Sequence, residues 1–178
     1  MSIFHRFTEN VLKTPNKTAI IVGDVELSYN ELAHQVSCVS YHFLLNGVKR
    51  NDHMAVLLPN GIEFVTLMLV AANIGVVLVP YNTTLSDKVL SLAFEAADIK
   101  HVVAWHGLIA GYKTVFANIR SPQGMIISVG GEVADCMPFY MMQAAKIETN
   151  ASNLTLHQDQ AYIITMTSGS TGNPKPIV

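Results

Sequence analysis

The sequence predicts an α/β fold, a mostly parallel sheet with helices on both faces. Three observations predict it. Short apolar runs alternate along the chain with longer segments of helical periodicity, the pattern of strand–helix–strand units. The runs are near-continuous in Val, Ile and Leu rather than alternating with polar residues, as in strands buried on both faces. Half of the 178 residues are hydrophobic and 13% are charged, against roughly a quarter charged in an average domain. The length suits one domain with a sizeable core. So apolar a chain fits a two-sided buried sheet, or a part of a larger protein that covers its surface.

The elements follow in order. "MSIFHRFTENVLKTP" reads as a short amphipathic helix with Phe4, Phe7, Val11 and Leu12 on one face. Thr18 to Tyr29 reads as a hairpin turning at Gly23-Asp24. Ser28 and Glu31 form a capping box for a helix running to about Asn46, where Gly47 ends it. Met54 to Pro59 is a buried strand, and Asn60 can cap the next helix. Gly75 stops that helix, and Val76 to Pro80 is the next strand. Ser86 caps a helix through Ala97, and His101 to Trp105 is a strand. Gly124 to Gly130 reads as a strand, Pro138 to Lys146 as a short helix, and Ile147 to Asp159 as a polar loop. Ala161 to Thr167 is a strand that leads directly into a Gly/Ser/Thr loop. There is no internal repeat and no low-complexity segment.

Several function classes fall away. Net charge is −2 and the longest cationic run is Lys49-Arg50, so there is no electrostatic footprint for nucleic acid. Cys38 and Cys136 form no C-x-x-C pair and read as reduced thiols. The N-terminal stretch carries Glu9 where a signal peptide needs apolar residues. Phe64 to Pro80 is almost wholly apolar, yet it changes from Leu, Met and Ala to Val after Gly75. Helix, glycine stop and strand account for it better than a membrane span. His34, Cys38 and His42 share a helix face, but they are strung over two turns without a fourth ligand, and a packed helix face is the better reading. No G-x-S-x-G nucleophile elbow occurs. Trp105 and Tyr140 read as packing residues rather than a stacking platform.

The chemistry concentrates in "TSGSTGNPKPIV", Thr167 to Val178. Gly169 and Gly172 permit backbone angles closed to other residues, so successive N–H groups can turn inward as an anion nest. Thr167, Ser168, Ser170 and Thr171 add hydroxyl donors, and Lys175 adds a point charge suited to a polyphosphate. A Walker A loop needs four residues between its glycines and Ser or Thr directly after Lys. Here two residues separate Gly169 from Gly172, and Pro176 follows Lys175.

"TSGSTGNPK" resembles the phosphate-loop signature of the adenylate-forming (AMP-binding) superfamily, which includes acyl-CoA synthetases, nonribosomal peptide synthetase adenylation domains and adenylate-forming luciferases. "LSYNEL" (Leu27 to Leu32) and "LVAANIGVVLVPYNTTLS" (Leu69 to Ser86) are similar to two earlier segments of that family, in the right order. The resemblance covers most of the chain. It implies that residues 1–178 are the N-terminal part of the large AMP-binding domain, with the rest of that domain and the C-terminal domain absent. It implies a two-step ligase: a carboxylate attacks the α-phosphate of ATP, giving acyl-adenylate and pyrophosphate, and a thiol such as CoA then displaces AMP. ATP and Mg²⁺ are the implied cofactors, with CoA as a candidate acceptor. Carried over by motif, Thr167, Ser168, Gly169, Ser170, Thr171, Gly172 and Lys175 are the ATP-contacting set, and no catalytic or metal-binding residue is assigned.

The family's usual residue after this Lys is Gly. Pro176 in its place is expected to stiffen the loop and remove one donor. The family's acidic motif, ribose-binding aspartate, hinge and C-terminal lysine lie beyond Val178, so the chain alone is expected to be inactive. The alternative is a non-catalytic AMP-binding-like module for subunit pairing or self-association through apolar surface and open strand edges. Partners are expected to be ATP and a carboxylic acid, with no nucleic acid and no membrane span, in the cytoplasm.

Overall fold

The computed structural model describes residues 3–119, 124–144, 163–168 and 174–177. The first helix, α1 (Ile3–Lys13), buries Phe4, Phe7 and Val11. Leu12 lies outside this face at 72% exposure. It sits at the edge of the stripe, one residue from the helix end, where the chain turns away from the core. Strands β1 (Thr18–Val22) and β2 (Val25–Ser28) form the expected hairpin. Gly23 takes φ 59° at its turn, a region that costs glycine little.

Helix α2 (Tyr29–Leu45) starts on the predicted capping box. Ser28 Oγ accepts from the Glu31 N–H at 3.3 Å, and the Ser28 N–H donates to the Glu31 carboxylate at 2.8 Å. Two otherwise orphaned donors are satisfied reciprocally. These hydrogen bonds, the Ser28 side chain's first, hold the Glu31 carboxyl below its ordinary value.

The central sheet has five strands, all parallel, in the order β4-β3-β5-β6-β7. They are β3 (His53–Leu57), β4 (Val77–Pro80), β5 (Ile99–Trp105), β6 (Ile126–Val129) and the two-residue β7 (Met137–Pro138). Strand residues alternate between two cores, as the pleat requires. Met54, Val56, Leu78, Val103 and Ile127 join one core with α1, α2, α3 (Ile62–Ile74) and α7 (Phe139–Gln143). Ala55, Leu57, Val79, Val102 and Ile126 join the other with α4 (Asp87–Ala96), α5 (His106–Ile109) and α6 (Lys113–Ala117). The layer order is therefore helix, sheet, helix, as expected.

Gly75 ends α3 in the left-handed region at φ 76°, its N–H bonded to Ala71 O at 2.9 Å. The apolar stretch around it is thus a helix, a glycine stop and strand β4. No helix among the described residues is long and apolar enough to cross a membrane. Two expected caps differ in detail. Gly61, not Asn60, occupies the N-cap of α3, and Ser86 caps α4 without a side-chain hydrogen bond.

After β4 the chain crosses back over β3 to form β5. Helices α3 and α4, which make these two connections, pack on opposite faces. The strand order therefore reverses between β3 and β5, at the carboxyl ends of which α/β proteins open their binding crevices. Ile163 pairs with Leu78 in parallel, and the Ile164 N–H donates to Leu78 O at 2.8 Å. The chain thus returns along the other edge of β4 before β8 (Thr165–Ser168) and β9 (Pro174–Ile177).

Candidate functional site

Strands β8 and β9 form an antiparallel hairpin with Thr165 opposite Ile177, Met166 opposite Pro176, Thr167 opposite Lys175 and Ser168 opposite Pro174. The backbone of three predicted ATP-contacting residues, Thr167, Ser168 and Lys175, thereby lies on the two paired strands. The other four, Gly169, Ser170, Thr171 and Gly172, lie outside the described residues. The expected strand, Ala161 to Thr167, is found in part: Ile163 bridges to Leu78 and β8 spans Thr165–Ser168, while residues 161 and 162 lie outside the described residues. Strand β9 was read as loop because it carries two prolines.

Those prolines fit the ladder for a specific reason. Proline has no N–H to donate, and in an antiparallel pair every second residue needs none toward its partner. Pro174 and Pro176 are two residues apart, so a ladder bonded through Thr165–Ile177 and Thr167–Lys175 asks nothing of either proline. Pro176, expected to stiffen the loop and remove one donor, sits in strand β9 across from Met166.

Strand β8 follows Ile163, which runs parallel to β4, so its Ser168 end is directed toward the carboxyl edge of the sheet. A cleft of about 630 Å³ opens at the same edge. Leu58, Pro59 and Asn60 line it after β3, Tyr81, Asn82 and Thr83 after β4, and Trp105 and Leu108 at the end of β5.

The wall after β4 is held from three sides. The Tyr112 hydroxyl donates to Thr83 O at 3.0 Å and lies 2.6 Å from Leu85 O. Asn82 Oδ1 accepts from the Thr84 N–H at 3.0 Å and its hydroxyl at 2.9 Å, a local turn. Tyr81 is buried, and its hydroxyl donates to Ala93 O at 3.1 Å. Burial pushes its pKa well above the ordinary tyrosine value. Tyr81 is therefore a neutral structural donor.

Trp105 was expected to pack, and here the structure differs. It is 39% exposed and lines the cleft. Tyr140, also expected to pack, is exposed, and its hydroxyl bonds to the Glu132 carboxylate. The signal available in the sequence was positional: a lone Trp stands at the C-terminal end of an apolar strand.

The opposite edge of the sheet holds a different polar cluster. Asp52 Oδ2 accepts from the Lys49 N–H at 2.7 Å and from His101 Nε2 at 3.3 Å, while Lys100 Nζ lies 3.2 Å from Oδ1. Burial pushes the Asp52 carboxyl up, but the Lys49 N–H, His101 and Lys100 outweigh it, and the net is below its ordinary value. These groups satisfy one another, and they join the loop before β3 to β5. On the His34–Cys38–His42 face Cys38 is buried, with Sγ 3.7 Å from His34 Nδ1, and among the described residues no group of three His, Cys, Asp or Glu is placed to hold an ion.

The AMP-binding enzyme family matches residues 7–178. Among curated relatives, 2-succinylbenzoate–CoA ligase of Bacillus licheniformis is 27% identical over 165 residues, spanning 93% of this chain and 31% of the relative. Delta-poly-L-ornithine synthetase of Acinetobacter baumannii is 28% identical over 176 residues, spanning 97% of this chain and 12% of the relative. The chain thus spans about a third or less of the length of these relatives. The N-terminal subdomain of NpsA from Klebsiella oxytoca superposes with a TM-score of 0.74 at 21% identity, over 99% of this chain and 41% of that one. At that identity the likeness concerns the fold, and it is the fold predicted from the strand pattern. With the family match running through nearly the whole chain to the hairpin, this protein belongs to the AMP-binding enzyme family and corresponds to its N-terminal portion.

Proposed function

We propose that residues 1–178 form the phosphate-gripping part of an ATP-dependent, AMP-forming acid ligase. The observation that carries the reading is the β8–β9 pairing: it sets Lys175 across from Thr167, and in sequence the Gly/Ser/Thr motif joins those two strands. The donor set suits a polyphosphate. The backbone N–H groups of Gly169 and Gly172, the hydroxyls of Thr167, Ser168, Ser170 and Thr171, and the Lys175 ammonium would hold the β- and γ-phosphates of ATP. As the carboxylate displaces pyrophosphate, charge grows on the departing oxygens, and pre-placed donors lower that barrier. Lys175 would supply a compact point charge with three donors to the phosphates.

ATP with Mg²⁺ supplies the phosphoanhydride to be cleaved, and CoA or another thiol is the proposed acceptor of the acyl group. The relatives favour a carboxylate-activating reaction, since one is a CoA ligase and the other a synthetase. We further propose that the 178-residue chain alone completes no turnover, because the motif residues it carries bind phosphate and include no assigned acid, base or metal ligand.

The test is ATP–pyrophosphate exchange with a panel of carboxylic acids, in a protein that continues this chain and in residues 1–178 alone. Exchange is expected in the longer protein, falling by roughly two orders of magnitude in Lys175→Ala. Exchange by residues 1–178 alone would overturn the inactivity of the fragment. Full exchange in Lys175→Ala would remove the assigned role of the loop.

A further inference from the structure

The phosphate loop and the carboxyl-edge cleft leave one cationic feature unused, the Lys49-Arg50 pair, the longest cationic run in the sequence. Lys49 lines a cavity of about 310 Å³ at the opposite edge of the sheet. The cavity sits where strands begin. Asp52 directly precedes β3, Ile99, Lys100 and His101 open β5, and Gly124 stands just before β6. From there β5 runs seven residues to Trp105, about 20 Å at the usual rise per residue. The cavity is therefore remote from the cleft and from the end of β8.

Its wall is already in place. Ile99 and Ile119 are buried and supply apolar surface. A Cβ on Gly124 would collide with Ile119 O and stand 3.1 Å from Lys100 O, so only glycine lets the chain pass this close to both. The buried Asp52 carboxylate accepts from the Lys49 N–H, from His101 Nε2 and from Lys100 Nζ. Its charge is thus answered within the wall, and little ordering is needed on binding.

What remains is positive. Two ammonium groups, of Lys49 and Lys100, face one carboxylate. Burial lowers the His101 pKa, so the ring adds no charge at neutral pH. An ammonium carries three donors. Lys100 gives one of them to Asp52, and the Lys49 ammonium forms no ion pair among the described residues. Asn118 adds a neutral amide at the rim. The whole chain carries −2, so this positive excess is local. A cation or an apolar ligand would leave these N–H groups unanswered, whereas a small oxyanion would accept from them. The volume lies at the lower end of small-molecule sites, which suits a phosphate or a short dicarboxylate rather than a nucleotide.

We propose that the amino-edge cavity binds a small oxyanion, a phosphate or a short dicarboxylate, between Lys49 and Lys100 with Asn118 at its rim. The site is separate from the phosphate loop and does not depend on the ligase reading.

Amide shifts of the isotope-labelled 178-residue chain test it in two titrations at constant ionic strength, one with inorganic phosphate and one with glutarate. Saturable shifts at residues 47–52, 99–101 and 118 are expected from at least one of them, with a Kd of about 1 mM or tighter. Phosphate alone identifies a phosphate site, glutarate alone a carboxylate site, and both a general oxyanion site. Lys49→Gln and Lys100→Gln should each weaken binding roughly fivefold or more. Asn118→Asp is nearly isosteric and sets a negative charge at the rim, so it should abolish binding without disturbing Asp52. Lys175→Ala should leave these shifts unchanged, which separates the cavity from the phosphate loop. Lys17→Gln, at an exposed lysine outside the cavity, should also leave them unchanged. Weaker or unsaturable binding of both anions, full binding by Lys49→Gln, or a loss in Lys175→Ala or Lys17→Gln equal to that in Lys49→Gln would overturn the proposal.

Discussion

His101 of β5 bridges the residues that lead into β3 and β6 through opposite sides of one ring: Nε2 lies 3.3 Å from Asp52 Oδ2, and Nδ1 lies 3.3 Å from the Met125 N. The backbone N–H of Met125 is a donor, so Nδ1 must accept. The proton of neutral His101 then resides on Nε2, from which it is donated to Asp52. The ring is 1% exposed, so both contacts are shielded from water.

That arrangement sets the acid stability. Burial lowers the His101 pKa most, against the opposing pull of Asp52, and the net is below the ordinary 6.5. The unfolded chain therefore takes up this proton first, and stability should begin to fall as pH drops below about 6.5. Asp52 also titrates below its ordinary value, so its contribution is present above about pH 3.8 and is lost as pH falls through its folded pKa. Urea melts across pH 3 to 8 should show both declines, and His101→Gln should remove the upper one. A flat profile from pH 7 to 5 in the unsubstituted protein would contradict the assignment.

Asp52→Ala should cost about 2–4 kcal/mol, because the Lys49 N–H and His101 Nε2–H lose a shared buried acceptor. Lys100→Ala should cost no more than about 1 kcal/mol, since its side chain is half exposed and water screens the pair. Chemical denaturation of the two variants gives the comparison, and equal losses would refute the ranking.

Tyr112→Phe removes the hydroxyl that holds Thr83 O and Leu85 O. The expected loss is about 1–2 kcal/mol, with faster amide exchange confined to residues 82–86. Unchanged exchange in that segment would show that the Asn82 turn holds it unaided.

At Gly130, alanine meets two penalties at once: φ 81° and an indole 2.4 Å from the new Cβ. Gly130→Ala should destabilise by about 1–3 kcal/mol and red-shift Trp105 emission as the ring is displaced. Gly23→Ala has a similar φ but open space, so it should cost only about 1 kcal/mol. Equal effects at the two glycines would remove the claim that Gly130 makes room for the indole.

Ser28→Ala should lower the stability of the α2 start by about 1 kcal/mol, and Ser28→Asp should restore most of it. Thermal melts of both variants check this. A neutral Ser28→Ala would mean that tertiary packing alone sets where α2 begins.

Much of this was legible along the chain because its causes are local. Ser28 and Glu31 are three residues apart, and Gly75 directly follows the helix it stops, so neither needs knowledge of distant residues. The unbroken Val/Ile/Leu runs likewise announced two-sided burial and hence a covered parallel sheet. The misses have non-local causes. Strand β9 was hidden by Pro174 and Pro176, which are compatible with a strand only because the register with β8 asks nothing of their N–H groups. Strand β7 has two residues, too few to show a period. Leu12 belongs to the apolar stripe by spacing, yet the core ends before it.

The division is clearest at the two features of the carboxyl edge. The phosphate-loop motif, the helix starts and stops and the family itself are determined by the order of residues, since each rests on side chains within a few positions of one another. The covered face of Trp105 lies against Gly130, 25 positions later, and the cleft wall after β4 depends on the hydroxyl of Tyr112, at the start of α6. Only folding brings these together. A parallel sheet places the ends of strands far apart in sequence at one edge, and which side chains remain uncovered there depends on how the helices close over it.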